Sequence, residues 1–297
     1  MTSSEIRDYY TKHSRFSAPG NHAEALRRLP DDINGVIGGI QGLVIYDAVA
    51  ADFYGCNLSG NRMQDIHLRS AKAILDRVLE LDNSPLTEAR APENRIAGRC
   101  RNFVMLLIAA LREKGIPARA RCGFGAYFNP GSFEDHWVCE YWDAQSDRWK
   151  FADPQFDAVW RRNLKVSHDI ADVPRDQMLV AGDAWETCRT GKADPSQFGI
   201  SIVGMHGQWM VAGNLIRDIA ALNNMELQPW DVWGAMPRPD ETQDDQQLAL
   251  FDRLAAFSRE PDEHFAALRE AYTNDDRLTV PDQVFNALRN RPEALAA

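Results

Sequence analysis

Residues 94–125 read NRIAGRCRNFVMLLIAALREKGIPARARCGFG, and the fold turns on how this stretch divides. Cys100, flanked by Arg99 and Arg101, opens an apolar run longer than two turns, and Gly115 follows as a stop. The pattern predicts a helix from Cys100 to Lys114. Pro117 then begins a strand in which Ala118, Ala120, Cys122 and Phe124 alternate with Arg119 and Arg121. Two more strands, 135–142 and 148–153, follow on either side of the turn-rich DAQSD. A helix ahead of consecutive strands, with helical sequence on both flanks, is an α+β pattern.

Working outward, residues 84–97, with Pro85 and Pro92, form a loop into this segment, and residues 24–84 read as helices. In NRMQDIHLRSAKAILDRVLEL, residues 61–81, Met63, Ile66, Ile74, Val78 and Leu81 recur at helical spacing, and Asn61 with Gln64 matches a capping box. His67 on the edge of that stripe reads as a packing histidine. Gly35, Gly38, Gly39 and Gly42 form a face for close helix packing; no Lys-Ser/Thr follows, as a phosphate loop would require. Residues 1–23, with Pro19-Gly20, read as a polar arm. Beyond residue 160 the chain is mixed, then helical near 246–258 and 262–272, after a solvated acidic loop of Asp240, Glu241, Asp244 and Asp245.

The chain has 297 residues, 44% hydrophobic and 26% charged, which is ordinary for a globular protein. A net charge of −10 disfavours nucleic acid and anionic membranes as partners, since both select basic patches. The five cysteines include no C-x-x-C pair, which suits a reducing compartment rather than a disulfide scaffold or zinc ribbon. The first residues lack the apolar core of a signal peptide, and the charge-free stretch 33–46 is too short to span a bilayer. The expectation is a cytoplasmic protein without cofactor.

Cys100 is the candidate nucleophile, because unpaired amides and the dipole at a helix start favour a thiolate. A base would have to come from nearby. His136 opens the strand in FEDHWVCEYW and Asp153 ends the next in RWKFADPQFD. With a hairpin turn near Gln145, facing residues sum to about 290, and these two sum to 289. A carboxylate beside an imidazole fixes its tautomer and steadies the imidazolium. An ordinary cross-strand His–Asp contact is the alternative. Cys122 and Cys139 read as small core residues. A zinc site of Cys122, Cys139 and His136 matches no compact ligand spacing, so no metal is expected.

The pieces GRCRNFVMLLIAALREKGIPARARCGFG, DHWVCEYW and RWKFADPQ together resemble the transglutaminase-like superfamily of the papain-like fold, over about residues 94–157. The resemblance implies a nucleophile helix packed on an antiparallel sheet, with N- and C-terminal helical extensions, as in the larger bacterial single-chain members. The organisation expected is an arm, 1–23, and one domain, 24–297, with its catalytic core at about 90–160 and extensions at 24–84 and 160–297. It implies Cys100 as nucleophile, His136 as base then acid, and Asp153 as its orienting partner. The chemistry implied is acyl transfer through a thioester that forms, exchanges or hydrolyses an amide. The Cys100 N–H and Asn94 are the candidate oxyanion donors, although Asn94 could equally just shape the loop. Trp137, together with Trp185, Trp209 and Arg217 of a tryptophan-rich segment, are candidates for substrate binding; Arg217 could instead be a structural ion-pair partner. The substrate would be a small molecule, peptide or acyl thioester, with an amine or water as acceptor. The rival reading is a non-catalytic protein using the tryptophan-rich wall to bind a peptide or small ligand.

Overall fold

The computed structural model describes residues 2–239 and 241–295, about 45% of the chain in helix and 16% in strands of mixed sheets, an α+β protein. The chain divides into two compact units. One comprises Arg7–Ala120 and Val138–Val173; the other comprises Met1–Ile6, Arg121–Trp137 and Pro174–Ala297. The strands Ala118–Gly125 and Phe133–Asp143 each pass from one unit to the other along the chain. Among the described residues no helix is long and apolar enough to cross a membrane.

The first unit is built around the helix Cys100–Glu113, in which every residue from Cys100 to Arg112 is buried. Helices Ala23–Arg27, Ile33–Gln41 and Ala71–Leu81 pack on it. As expected, Gly115 ends it, taking the left-handed φ of 73° that disfavours other residues. A helix covered on all sides must satisfy its own cations. Arg101 donates to the Arg69 carbonyl, and Arg112 donates to the Ala118 carbonyl and to Ser17 Oγ. The expected glycine face is used at three of its four positions. An added Cβ on Gly35, Gly39 or Gly42 would collide with Pro30, Leu29 or Ala89, whereas Gly38 has open space.

Two sequence expectations need correction. Residues 1–23 are not an arm: Ser3–Thr11 is helical, and Tyr10 and Phe16 are buried in the core. The Arg119 guanidinium lies 4.9 Å from the Tyr10 ring and 4.1 Å from the Trp149 ring. Residues 61–81 are not one helix. A 3-10 helix, Gly60–His67, ends before Ser70 caps Ala71–Leu81 by accepting from the Ala73 N–H, and Asn61–Gln64 forms no cap. Arg119 itself is buried, its Nε donating to Glu140 at 2.6 Å.

In the second unit the helix Gln208–Leu222 is buried from Met210 onward and packs against Ala181–Arg189 and Asp245–Arg259. Strand residues Gly123–Gly125 pair antiparallel with Met178–Val180, and Phe133–Glu134 pair parallel with Phe198–Gly199. Arg121 is buried and bidentate on Asp218, so the arginines of 118–125 alternate as read but both are covered. The expected C-terminal helices are Asp245–Arg259 and Phe265–Asn274. Of the acidic loop before them, Asp244 is a helix cap sharing a capping box with Gln247, and Glu241 accepts from the Arg238 N–H. Asp240 lies outside the described residues.

Candidate active site

Cys100 is the first residue of its helix, with Arg99 as an extended N-cap at φ −118°, ψ 172°. Asn102 locks this entry: its Oδ1 accepts from the Arg99 N–H at 2.9 Å while its Nδ2 donates to the Leu68 carbonyl at 3.1 Å. Just upstream, Ile96–Gly98 pairs parallel with Val44–Tyr46. Gly98 is required there, since a Cβ would stand 2.5 Å from Val44 Cγ1. Cys100 itself is 5% exposed. As the first helical residue it carries one of the amides that have no intrahelical acceptor, so the positive end of the helix surrounds the sulfur.

Asp153 is in the same unit, buried directly after the strand Arg148–Ala152. Its Oδ1 accepts from the Gln155 N–H at 3.1 Å, and its own N–H donates to the Ile170 carbonyl at 2.7 Å. The hairpin register differs by one from the expectation. Cys139 faces Ala152 and Asp143 faces Arg148, so facing residues sum to 291, not 290. The pairing ends at Ala152, one residue before Asp153. His136 lies on the strand Phe133–Asp143, three residues before Cys139.

His136, in the second unit, is buried, and its ring meets the edges of two aromatics. Phe128 lies 4.9 Å away at 68° and Tyr127 6.0 Å away at 89°, these two being stacked on each other. The neighbouring Asp135 accepts from Asn214 Nδ2 at 2.6 Å. Burial pushes the Asp135 carboxyl above its usual range, against the pull of Arg217, the Asn214 bond and His136. Neither Asn214 nor the Tyr127–Phe128 pair was picked out from sequence. The only trace of the former is the Asn214/Arg217 spacing of three on one helix.

The remaining expected residues are placed as follows. Asn94 is exposed in the turn Pro92–Asn94, its amide donating to Asp82 at 3.4 Å. Trp137 is buried, and its Nε1 has no hydrogen-bond partner among the described residues. Trp185 is buried against Phe251 and donates to Asp252 at 2.7 Å. Trp209 is half-buried and donates to the His206 carbonyl. Arg217 donates to Asn214 Oδ1 at 3.2 Å and to the Asp231 carbonyl at 3.1 Å. Its polar contacts are therefore made within the protein.

Three other thiols are held away from reactivity. Burial raises the pKa of Cys56 and, much further, of Cys139, and pushes Cys188 up to about 12. Among the described residues no three His, Cys, Asp or Glu side chains are grouped so as to hold a metal.

No curated protein and no solved structure matches the chain. A family model does, over residues 64–154, described as the transglutaminase-like superfamily. The match reaches back thirty residues beyond the resemblance seen at 94–157, taking in the helix Ala71–Leu81. It contains Cys100, His136 and Asp153. Residues 64–154 thus match the transglutaminase-like superfamily, whose members are generally, though not always, enzymes.

Proposed function

We propose that the chain is a thiol acyltransferase or amide hydrolase working through a thioester on Cys100. The observation that carries this reading is the position of Cys100 as first residue of a fourteen-residue helix inside the matched segment. There the free amides and helix dipole stabilise a thiolate, the form that attacks.

In the reaction, the Cys100 sulfur adds to the acyl carbonyl, and the Cys100 N–H bonds the oxygen as it becomes an anion. His136 takes the thiol proton and returns it to the leaving amine or thiol as the tetrahedral species collapses to a thioester. Water or an amine, deprotonated by His136, then attacks the thioester and releases Cys100. Asp153 holds the His136 tautomer and stabilises its charged form.

The test is intact and peptide mass spectrometry after incubation with peptide amides, esters and acyl thioesters. An acyl adduct on Cys100 is expected, absent in Cys100→Ala and His136→Ala and slower to form in Asp153→Asn. An adduct on another cysteine, or unchanged acylation in His136→Ala, overturns the assignment.

A further inference from the structure

Arg99, the residue before the thiol, is held in a way that the acyl-transfer step does not use. Its guanidinium is ion-paired with Asp47, a carboxylate whose side chain is 1% exposed, through Nε and through a 2.9 Å bond from Nη2. The Tyr46 ring lies 5.4 Å from the guanidinium carbon, and that ring packs edge-on against Trp160. Burial opposes charge on Arg99. Even so, Tyr46, the Asp47 bond and charge, and Cys100 together hold its pKa above the usual arginine range. All these residues lie in the first unit.

A guanidinium has five N–H donors in a planar fork. Asp47 occupies the Nε/Nη2 edge, which leaves one Nη2 and both Nη1 hydrogens with no partner among the described residues. The Arg99 side chain is 29% exposed, so this second edge opens to solvent. It is a cation fixed from behind by a buried carboxylate and a ring, with the geometry to take one further carboxylate in parallel hydrogen bonds. Arg101, on the other side of the thiol, is fully buried and turned to the Arg69 carbonyl, so it offers no such edge.

We propose that Arg99 determines specificity by receiving a carboxylate of the substrate beside the reacting acyl carbon. The substrate class is an acyl donor carrying a carboxylate close to the bond attacked. This inference rests on Cys100 being the nucleophile, and its test separates the two.

Alkylation of Cys100 by iodoacetate and by iodoacetamide is followed by peptide mass spectrometry in the full chain. Both reagents consume the same thiolate, so their rate ratio does not depend on the ionisation of the thiol. They differ only in carboxylate against amide. In Arg99→Gln the iodoacetate/iodoacetamide ratio is expected to fall roughly tenfold, the size of a charge-assisted hydrogen bond. Arg99→Lys, with the charge but not the fork, should fall between. The wild type supplies a second measurement should Arg99→Gln not fold: succinate slows iodoacetamide labelling of Cys100 and succinamide does not. An unchanged ratio, or equal protection by both compounds, overturns the role of Arg99 and leaves the nucleophile in place. Absence of labelling at Cys100 by either reagent overturns the nucleophile and this inference with it.

Discussion

Replacing Asp218 by alanine should cost the second unit much of its stability, and the structure shows why. Asp218 and Arg121 are both 0% exposed. Asp218 Oδ1 accepts from Arg121 Nε at 3.1 Å and from the Cys122 N–H at 2.8 Å; Oδ2 accepts from Arg121 Nη2 at 2.9 Å and Ser258 Oγ at 2.7 Å. Four donors lose their acceptor at once. The guanidinium keeps its bond to the Ser258 carbonyl. Breaking a buried pair by removing one partner costs about 3–5 kcal/mol, because a charge is left without compensation. Against a usual stability of about 5–15 kcal/mol, that is about a fifth of the total or more, and roughly 10 °C in Tm. Urea and thermal unfolding followed by circular dichroism measure it. The double variant Arg121→Met with Asp218→Leu should be more stable than Asp218→Ala, since it removes the buried cation together with the carboxylate it pairs with. A loss below about 1 kcal/mol in Asp218→Ala, or a double variant as unstable as the sum of its singles, would refute the reasoning.

Arg217→Ala should destabilise by about 2–3 kcal/mol, because Asn214 and the Asp231 carbonyl lose a charged donor. Removing that cation should also raise the Asp135 carboxyl further. An unchanged Tm with a raised KM would place Arg217 in substrate binding instead. His13, bonded to Glu113 at 2.9 Å, has its pKa lowered by burial, which outweighs the raising effect of Glu113. The unfolded chain therefore takes up its proton first on acidification, so stability present above the ordinary histidine range falls as pH drops through it. The Tm loss between pH 7.5 and pH 5, taken as approximate end points around that range, should shrink in His13→Gln; equal losses in both proteins would remove the prediction.

What the sequence determined by itself is local. The helix beginning at Cys100, its stop at Gly115, and the two hairpin strands follow from apolar period, turn residues and glycine placement, signals that act within a few positions. The same nearness brings Cys100, His136 and Asp153 into one recognisable segment. Tertiary structure decided what depends on distant partners. The helical stripe of residues 61–81 is interrupted because Asn102 and Arg101 draw the Leu68 and Arg69 carbonyls to themselves, from about thirty residues away. The arginines of 118–125 look solvated by alternation, yet Glu140 and Asp218 pair with them from 21 and 97 positions away, inside the protein. Arg99 finds its carboxylate in Asp47, 52 residues earlier. A lone charge in a sequence carries no sign of its partner. Whether it is hydrated or paired depends on which counter-charge the fold brings within hydrogen-bond reach, because only pairing offsets the cost of leaving water.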